Sequence, residues 1–427
     1  MPRFLTTGLL TAVVAVQLGI TPAQAGKQVY KLPIRDAAEN SAVFEKRDLR
    51  FPATLRDRQT VAHNPTITLP RLRGPHQVGT TSYTFTDWKR SEIFTTDPTD
   101  YRRVTVKLWY PADLTKPAYY AAYMDNRIIQ GYAKEFATEA PADVITKMFN
   151  SIRTRAFQDT PVSKQNSNYP VILFSPGGWE IPEFYSDQAA QLASQGYIVA
   201  TLSSPYESRY TVFPEQPQAI PVSPSLLADF ENPNPEIRLE TAKKVLKVRT
   251  ADLSFVLNEL QQLNQRDAKF MGKFNFNRVG VYGHSAGGAA AAEVMRYDSR
   301  FRAGINYDGS IFTDTAQVGL DRPFMLINVA DGLSDPSRKL LFDNLRNHAY
   351  SLQIKGTNHY NFSDQPLLKA TGLPFEAIGT IDPSLGAKIT NDYTSAFFNQ
   401  YLKGKASPLL NKPASKYPEV EFKSRRP

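Results

Sequence analysis

The C-terminal two-thirds of the chain alternates short apolar runs with segments of helical periodicity. Three runs, YPVILFSPGG, YIVATLSSP and RVGVYG, contain few polar residues, as expected for strands that are buried on both faces of a sheet. Three further predicted strands, AGINYDG, PFMLINVADG and AYSLQIKG, follow, and the amphipathic segment AKITNDYTSAFFNQYLKG predicts a last helix that ends near Gly404. This alternation predicts an α/β fold, a mostly parallel sheet with helices on both faces.

The first part of the chain is organised differently. Residues 26–73 show no sustained period and are predicted to form an N-terminal arm, and residues 74–427 are predicted to form a single domain. Within that domain TSYTFTDW and RRVTVKLWYPA alternate apolar and polar positions, which is typical of half-buried strands. Residues 112–168 interrupt this pattern and are predicted to form a helical cap.

The predicted cap contains the segment ADVITKMFNSIRTRAF, which suggests a helix over residues 143–157. Its apolar residues share one helical face: Val144, Met148, Phe149, Ile152 and Ala156. Two interpretations are open for this face. It packs against the domain, which is the commoner arrangement, or it lies against a lipid surface as a peripheral membrane contact.

The N-terminus has the pattern of a secretory signal peptide. Arg3 precedes the apolar run LLTAVVAVQLGI, and TPAQA supplies a small-residue cleavage site, so cleavage is predicted after Ala25. The run is too short for a stable membrane span, and a single N-terminal anchor is the alternative. The protein is therefore predicted to be secreted or periplasmic. Because the chain has no cysteine, its stability must come from a large core rather than from disulfides.

The net charge of the chain indicates which kinds of partner it is expected to bind. The chain has 50 Lys and Arg against 41 Asp and Glu, a net charge of +9, which becomes +8 when the leader removes Arg3. A basic surface favours anionic surfaces such as a membrane or cell envelope. The basic residues are scattered and form no nucleic-acid motif, so no nucleic-acid partner is expected. No histidine pair has zinc-ligand spacing and no G-x-G-x-x-G opens a helix, so neither a metal nor another cofactor is expected.

The segment RVGVYGHSAGGAAAAEV, residues 278–294, carries the candidate nucleophile. A G-x-S-x-G motif is weak evidence alone, but here it lies between a predicted buried strand and a predicted helix. The sharp turn brings strand and helix together, so only small residues fit at Gly283 and Gly287. The turn also exposes the Ser285 hydroxyl and places the helix N-terminus near developing negative charge. Ser285 is therefore predicted to be the nucleophile.

A serine hydroxyl needs a base near neutral pH. The chain has five histidines: His63, His76, His284, His348 and His359. The first two precede the predicted sheet, His284 is expected to point away from the cleft, and His348 is placed at a helix end, where a cation is favourable. His359 follows the strand AYSLQIKG in a loop at the carboxyl edge of the sheet. His359 is therefore predicted to be the base.

Two carboxylates are candidates for orienting His359. Asp308 ends the strand AGINYDG and Asp331 ends PFMLINVADG, and both lie between Ser285 and His359 in the order that a Ser–Asp–His arrangement needs. The common arrangement favours Asp331, and the residue that is not used would be a turn residue, since Asp-Gly is a frequent turn pair. The sequence spacing alone does not decide between Asp308 and Asp331.

The oxyanion hole needs two backbone N–H donors. One is predicted at Ala286, directly after the nucleophile. The other is predicted in the loop after VILFS, at Gly178, because Pro176 has no N–H and glycine lets the backbone approach a substrate carbonyl.

These segments together resemble the monomeric secreted and intracellular platelet-activating factor acetylhydrolases. The resemblance runs from about Gly74 to Leu368 and includes GPHQVGTTSYTF, VKLWYPA, YPVILFSPGG, GHSAGG, GINYDG, RPFMLIN and NHYNFSD. It implies an α/β-hydrolase fold, calcium-independent cleavage of short or oxidised acyl chains from phospholipids, and lipid docking through helices near the insert. It also implies that Asp308, 23 residues after Ser285, is the acid.

The chain departs from the resembled pattern at two places. Pro176 stands where the family has histidine, and Ala286 stands where it has a bulky residue, which implies a roomier acyl pocket. The sequence thus predicts a secreted serine carboxylic-ester hydrolase acting on a small-molecule or lipid ester. The alternatives are a lipase or polyester hydrolase, a serine peptidase, or a catalytically silent hydrolase fold used for binding. The last is disfavoured because nucleophile and base are both present.

Overall fold

The strands of the computed structural model form one large sheet and one short hairpin. The structure describes residues 66–426 except 115–116, 139 and 372–377, so the predicted signal peptide and most of the predicted arm lie outside it. The strands are β1 (Ile67–Thr68), β2 (Gln77–Ser91), β3 (Tyr101–Ala112), β4 (Tyr120–Ala122), β5 (Ile152–Gln158), β6 (Tyr169–Ser175), β7 (Ile198–Leu202), β8 (Tyr210–Thr211), β9 (Ile220–Pro221), β10 (Phe274–His284), β11 (Phe301–Tyr307), β12 (Phe324–Val329), β13 (Ala349–Ile354) and β14 (Val420–Arg425).

The large sheet has the order β1-β5-β2-β3-β7-β6-β10-β11-β12-β13-β14, with β4 paired to β5. From β7 to β13 the neighbouring strands are parallel, while β3 and β14 join the two sides of this block in antiparallel pairs. Every residue of β6, β7 and β13 is buried, as their unbroken apolar sequences predict. The predicted α/β fold is confirmed, and parallel pairing brings the carboxyl ends of these strands to one edge.

Helices cover both faces of the sheet. They are α1 (Asn126–Glu135), α2 (Ala142–Asn150), α3 (Ser186–Ser194), α4 (Pro224–Phe230), α5 (Pro235–Arg266), α6 (Ala286–Tyr297), α7 (Thr315–Val318), α8 (Pro336–Asn344) and α9 (Pro383–Lys403). Alternate residues of β10 enter two separate cores: Val281 packs with α5 and α6, and Tyr282 packs with α3 and α9. The last helix ends as predicted at Gly404, whose φ of 68° is the left-handed conformation that glycine adopts readily.

The predicted helix over residues 143–157 is wrong in its second half. α2 ends at Asn150, and Ile152–Gln158 is strand β5, which pairs in parallel with β1 and β2. Ile152 and Ala156 are both buried, and so is Thr154 between them, whereas Arg153 is exposed. A spacing of four residues fits one helical face and also one face of a strand, so the apolar positions alone did not distinguish the two.

The apolar face of α2 is part of the core. Ile145, Met148 and Phe149 are at most 3% exposed and belong to the same hydrophobic cluster as Tyr132 of α1. The interpretation that this face lies against lipid is therefore wrong, because the side chains are already covered by protein. No helix among the described residues is long and apolar enough to cross a bilayer.

Candidate active site

Ser285 lies on a sharp turn between β10, which ends at His284, and α6, which begins at Ala286. Its backbone angles, φ 53° and ψ −121°, are unfavourable for a residue with a side chain and cost of order 1–3 kcal/mol. A Cβ at Gly283 would lie 2.1 Å from the carbonyl oxygen of Gly287, and one at Gly287 would lie 2.0 Å from that of Ser175. The turn therefore requires glycine at both positions.

His359 and Asp308 meet at the carboxyl edge of the sheet. His359 opens a 3-10 turn, His359–Phe362, a few residues after β13, and Asp308 directly follows β11. His359 Nδ1 lies 2.7 Å from Asp308 Oδ2. Asp308 has a φ of 52°, a left-handed conformation that aspartate tolerates better than most residues. The two side chains, 51 residues apart in sequence, thus form a direct hydrogen bond.

The surroundings of Asp308 favour its ionised form. The carboxylate is buried, which opposes ionisation, but the hydrogen bond with His359 and the charge of Arg338 together lower its pKa below the ordinary carboxyl value. Arg338, on α8, donates to Oδ1, and the N–H of Val329 donates to the same oxygen over 3.3 Å. Sequence reasoning missed Arg338, because a single arginine in an amphipathic helix carries no signal of its partner.

Asp331 has a different environment. Its side chain is exposed, and the residue precedes the 3-10 turn Gly332–Ser334, where its backbone carbonyl accepts the N–H of Ser334 over 2.8 Å. The structure therefore brings Asp308 against His359 and leaves Asp331 in a solvent-facing turn.

Ser285 and His359 line one cleft with about 230 Å³ of empty space. The other lining residues are Gly177, Gly178, Trp179, Glu180, His284 and Tyr360. The hydrogen bonds of the described residues do not include one from Ser285 Oγ to His359, a contact that is often loose before substrate binds. Among the described residues, no group of three or more His, Cys, Asp or Glu side chains is placed so that it could hold a metal ion.

The two predicted oxyanion donors flank the nucleophile. Gly178 lies in the loop after β6 and lines the cleft, and Ala286 is the first residue of α6, where helical N–H groups have no intrahelical partner. Neither N–H has a hydrogen-bond acceptor among the described residues. Both are therefore available to a ligand.

A buried arginine on α5 orients the loop that contains Gly178. Arg249 donates to the carbonyl oxygens of Pro176 over 2.6 Å and Gly177 over 3.3 Å, and its Nε is 2.8 Å from Glu207. In a trans peptide the N–H points opposite to the C=O. Because Arg249 holds the Gly177 carbonyl, the N–H of Gly178 in the same peptide must face the other way. Sequence reasoning did not identify Arg249, which looked like one polar residue of a long helix.

His284 is not directed away from the site, as the sequence analysis expected. It is fully buried: Nδ1 lies 2.7 Å from the Tyr185 hydroxyl and Nε2 lies 3.0 Å from the backbone oxygen of His359. Burial, and then the nearby charge of His359, lower its pKa well below the ordinary imidazole value, so His284 is neutral. Because side chains point to alternate faces along β10, His284 lies on the same face of the sheet as Tyr282. Its ring lies next to the ring of His359.

The segment that carries His359 is anchored by Asp364. The Asp364 carboxylate is buried and accepts from the Tyr123 hydroxyl over 3.2 Å and from the N–H of Asp187 over 3.2 Å. Burial and the neighbouring Asp187 raise the pKa of Asp364 well above the carboxyl range, so this carboxyl takes up a proton readily. The contact ties the loop after β13 to the start of α3.

Comparison with known proteins finds a family to which most of the chain is similar. Residues 61–408 match the family model for platelet-activating factor acetylhydrolase, isoform II. A protein of Arthroderma benhamiae, described as a probable 1-alkyl-2-acetylglycerophosphocholine esterase, is 28% identical over 395 residues, which cover 83% of this chain and 93% of that protein. The platelet-activating factor acetylhydrolase of Cavia porcellus is 25% identical over 358 residues, 78% of each chain.

A solved structure is also similar. The ferulic acid esterase of Streptomyces cinnamoneus matches with a TM-score of 0.70 and 25% identity, over 84% of this chain and 99% of that one. The relatives and the solved structure are all named for the cleavage of carboxylic esters.

Proposed function

Because the chain belongs to the platelet-activating factor acetylhydrolase isoform II family and is a carboxylic ester hydrolase, we propose that it cleaves short or modified acyl esters of lipids with a Ser285–His359–Asp308 triad. One observation carries the proposal. The imidazole of His359, held by Asp308 at 2.7 Å, lines the same cleft as the serine on the strained turn.

In the proposed mechanism Ser285 Oγ attacks the ester carbonyl while His359 Nε2 accepts the hydroxyl proton. Asp308 keeps the proton of Nδ1 in place and stabilises the imidazolium. The N–H groups of Gly178 and Ala286 donate to the carbonyl oxygen as it becomes negative. The C–O bond to the alcohol breaks, the alcohol leaves with the proton from His359, and water then releases the acyl group by the same steps in reverse.

The cleft is small, because its empty space is about 230 Å³ even when the part open to solvent is included. A short acyl group fits this proposal better than a long acyl chain, which would have to remain outside the cleft. The names of the relatives, an alkylacetylglycerophosphocholine esterase and an acetylhydrolase, support a lipid alcohol as the other half of the ester.

A second candidate is an ester of an aromatic acid. The solved ferulic acid esterase has the same fold at 25% identity, and Trp179 and Tyr360 give the cleft an aromatic lining.

A substrate panel tests the two candidates. We expect p-nitrophenyl acetate and butyrate, and phosphatidylcholine with an acetyl group at its second position, to be cleaved faster than the palmitoyl counterparts and than methyl ferulate. A long acyl chain would be excluded from the cleft, so kcat/KM should fall with chain length. Fluorophosphonate labelling followed by peptide mass analysis should modify Ser285. Equal rates for acetyl and palmitoyl esters would contradict the lipid proposal, and methyl ferulate as the best substrate would favour the second candidate.

We also propose that the protein is exported and then cleaved after Ala25, on the basis of the N-terminal pattern alone. Expressed with its full sequence in a bacterial host, the protein should accumulate outside the cytoplasm with Gly26 as its first residue. Intact-mass measurement of the purified protein checks this. A protein that keeps Met1–Ala25 and remains with the membrane fraction would instead be anchored.

A further inference from the structure

His284 and Tyr185 are buried polar residues beside the cleft that the proposed mechanism does not use. His284 is the last residue of β10, directly before Ser285, and Tyr185 ends the 3-10 turn Pro182–Tyr185 that precedes α3. Both side chains are completely covered by protein. Because a buried polar group costs free energy unless it is hydrogen-bonded, the partners of these two side chains indicate what they do.

The partners of His284 determine which of its ring nitrogens carries the proton. Nε2 lies 3.0 Å from the backbone oxygen of His359, which can only accept, so Nε2 is assigned the proton. Because burial lowers the pKa of this ring well below the ordinary imidazole value, the ring is neutral, and Nδ1 accepts from the Tyr185 hydroxyl over 2.7 Å. The Tyr185 oxygen accepts the N–H of Gly177 over 3.3 Å.

These contacts form one chain of hydrogen bonds in which every donor points the same way. The Gly177 N–H donates to Tyr185, the Tyr185 O–H donates to His284, and the His284 Nε2–H donates to the His359 carbonyl. The chain therefore joins the oxyanion loop, residues 176–178, to the backbone of the proposed base.

The packing around this chain leaves little room for its members to move. A Cβ at Gly177 would lie 3.0 Å from His284 Nδ1, so the loop backbone is in contact with the ring. The ring centroids of His284 and His359 are 4.5 Å apart, and so are those of Tyr185 and Phe174. A displacement of one member is therefore passed to the next.

We propose that Tyr185 and His284 are positioning residues that hold the oxyanion loop and His359 in a fixed arrangement about Ser285. The proposal rests on the proposed function, because it takes His359 as the base and the Gly178 N–H as an oxyanion donor. Neither positioning residue reacts, and each acts through the backbone of a residue that does or that lies next to one.

At the oxyanion end, the peptide between Pro176 and Gly177 is held on both sides. Arg249 donates to its carbonyl oxygen over 2.6 Å, and its N–H is the group that donates to the Tyr185 hydroxyl. The next peptide carries the Gly178 N–H, so its direction depends on the peptide before it. Tyr185 and Arg249 thus restrain the same oxyanion donor from opposite sides.

At the base end, His359 is held through its side chain and through its backbone. Asp308 lies 2.7 Å from Nδ1, and His284 lies 3.0 Å from the backbone oxygen. Asp308 alone orients the ring but does not restrain the backbone from which the ring extends. Because His284 is neutral, its ring does not repel the imidazolium that His359 becomes during the reaction.

Tyr185→Phe tests the chain at its middle, because it removes the hydroxyl and keeps the ring. We expect kcat on the p-nitrophenyl ester that is cleaved fastest to fall on the order of 10- to 100-fold, with KM changed by about twofold or less. Tyr282→Phe is the matched control, because Tyr282 is also fully buried against Phe174 and its hydroxyl has no hydrogen-bond partner among the described residues. It should keep kcat.

Two substitutions of His284 separate its links. His284→Leu removes both, and we expect it to lose at least as much kcat as Tyr185→Phe. His284→Gln keeps an N–H donor for the His359 carbonyl and should recover part of the loss. Combining His284→Leu with Tyr185→Phe should lose no more than His284→Leu alone, because both break one chain, whereas independent packing defects would multiply.

A trifluoromethyl ketone analogue of the ester gives a second measurement that a loss of stability does not affect. Ser285 Oγ adds to the ketone carbon, its proton passes to His359, and the ketone oxygen becomes an oxyanion. The inhibition constant should therefore rise in Tyr185→Phe by about the factor by which kcat falls. Thermal unfolding followed by circular dichroism gives the folded fraction, and rates are expressed per folded molecule.

The outcomes separate this proposal from the proposed function. Tyr185→Phe with the kcat and inhibition constant of Tyr282→Phe would overturn the proposal, as would a loss confined to KM or a double variant whose losses multiply. If His284→Leu does not fold, the double variant is made with His284→Gln. If the unmodified enzyme cleaves no ester and fluorophosphonate leaves Ser285 unlabelled, the proposed function fails and this proposal fails with it.

Discussion

Replacing Asp308 by Asn is expected to lower kcat by about 10⁴-fold. The Asn amide can present an N–H to His359 Nδ1, which favours the tautomer with the proton on Nε2, and that nitrogen then cannot accept the Ser285 proton. The substitution also removes the negative charge that stabilises the imidazolium. KM should change little, because Asp308 is buried behind His359 and does not line the cleft. Steady-state kinetics on a soluble p-nitrophenyl ester measures both constants.

Asp331→Asn is the matched control. Asp331 is exposed and lies outside the cleft, so its variant should keep kcat within about twofold, in line with the small effects of most surface substitutions. Because Arg338 loses its charged partner in Asp308→Asn, thermal unfolding must show that both variants are folded. A large loss in Asp331→Asn together with an active Asp308→Asn would reassign the acid.

Replacing Arg249 by Leu is expected to lower kcat by about 10²–10³-fold with a smaller change in KM. Without Arg249 the Pro176 carbonyl loses its side-chain donor and the Gly177 carbonyl keeps only the N–H of Glu180, so the N–H of Gly178 is held less firmly toward the substrate oxygen. This donor acts mainly in the transition state, which is why the loss should appear in kcat. Arg249→Lys keeps the charge beside Glu207 and one donor for the loop, and should recover part of the rate.

Loss of stability must be separated from this effect. Arg249→Leu leaves Glu207 buried with less compensation, at a cost of about 3–5 kcal/mol for a broken buried pair. Arg322→Leu is the control, because Arg322 also donates to backbone carbonyls, those of Asp298 and Phe301, but lies outside the cleft lining. It should lower the melting temperature and keep kcat per folded molecule. If Arg249→Leu also keeps kcat per folded molecule, Arg249 only stabilises the fold.

The elements that the sequence predicted well depend on local rules. The buried strands β6, β7 and β13 are unbroken apolar runs, and the end of α9 at Gly404 follows from the backbone freedom of glycine. The tight turn at Ser285 is likewise recognisable, because a close approach of two backbones leaves room only for glycine at Gly283 and Gly287. Each of these features involves residues near one another along the chain.

The residues that sequence reasoning misplaced or missed depend on neighbours from distant segments. Ile152 and Ala156 fit a helix as well as a strand until β1 and β2 pair with β5. His284 was expected to point away because its contacts, Tyr185 and His359, come from other elements. Arg249 gave no signal, since its acceptors belong to a loop that precedes it by some 70 residues.

The chain alone therefore determined the strand–helix alternation, the strained turn and the candidate nucleophile, base and oxyanion donors, since backbone sterics and hydrophobic periodicity act over short separations. The tertiary structure decided which carboxylate contacts His359. It also decided that Arg338 contacts Asp308 and that Arg249 contacts the loop containing Gly178. Glu180 has no ion-pair partner among the described residues. Ion pairs and side-chain hydrogen bonds form between residues that are close in space. Residues from distant segments become close only when the crossovers between parallel strands have completed the sheet.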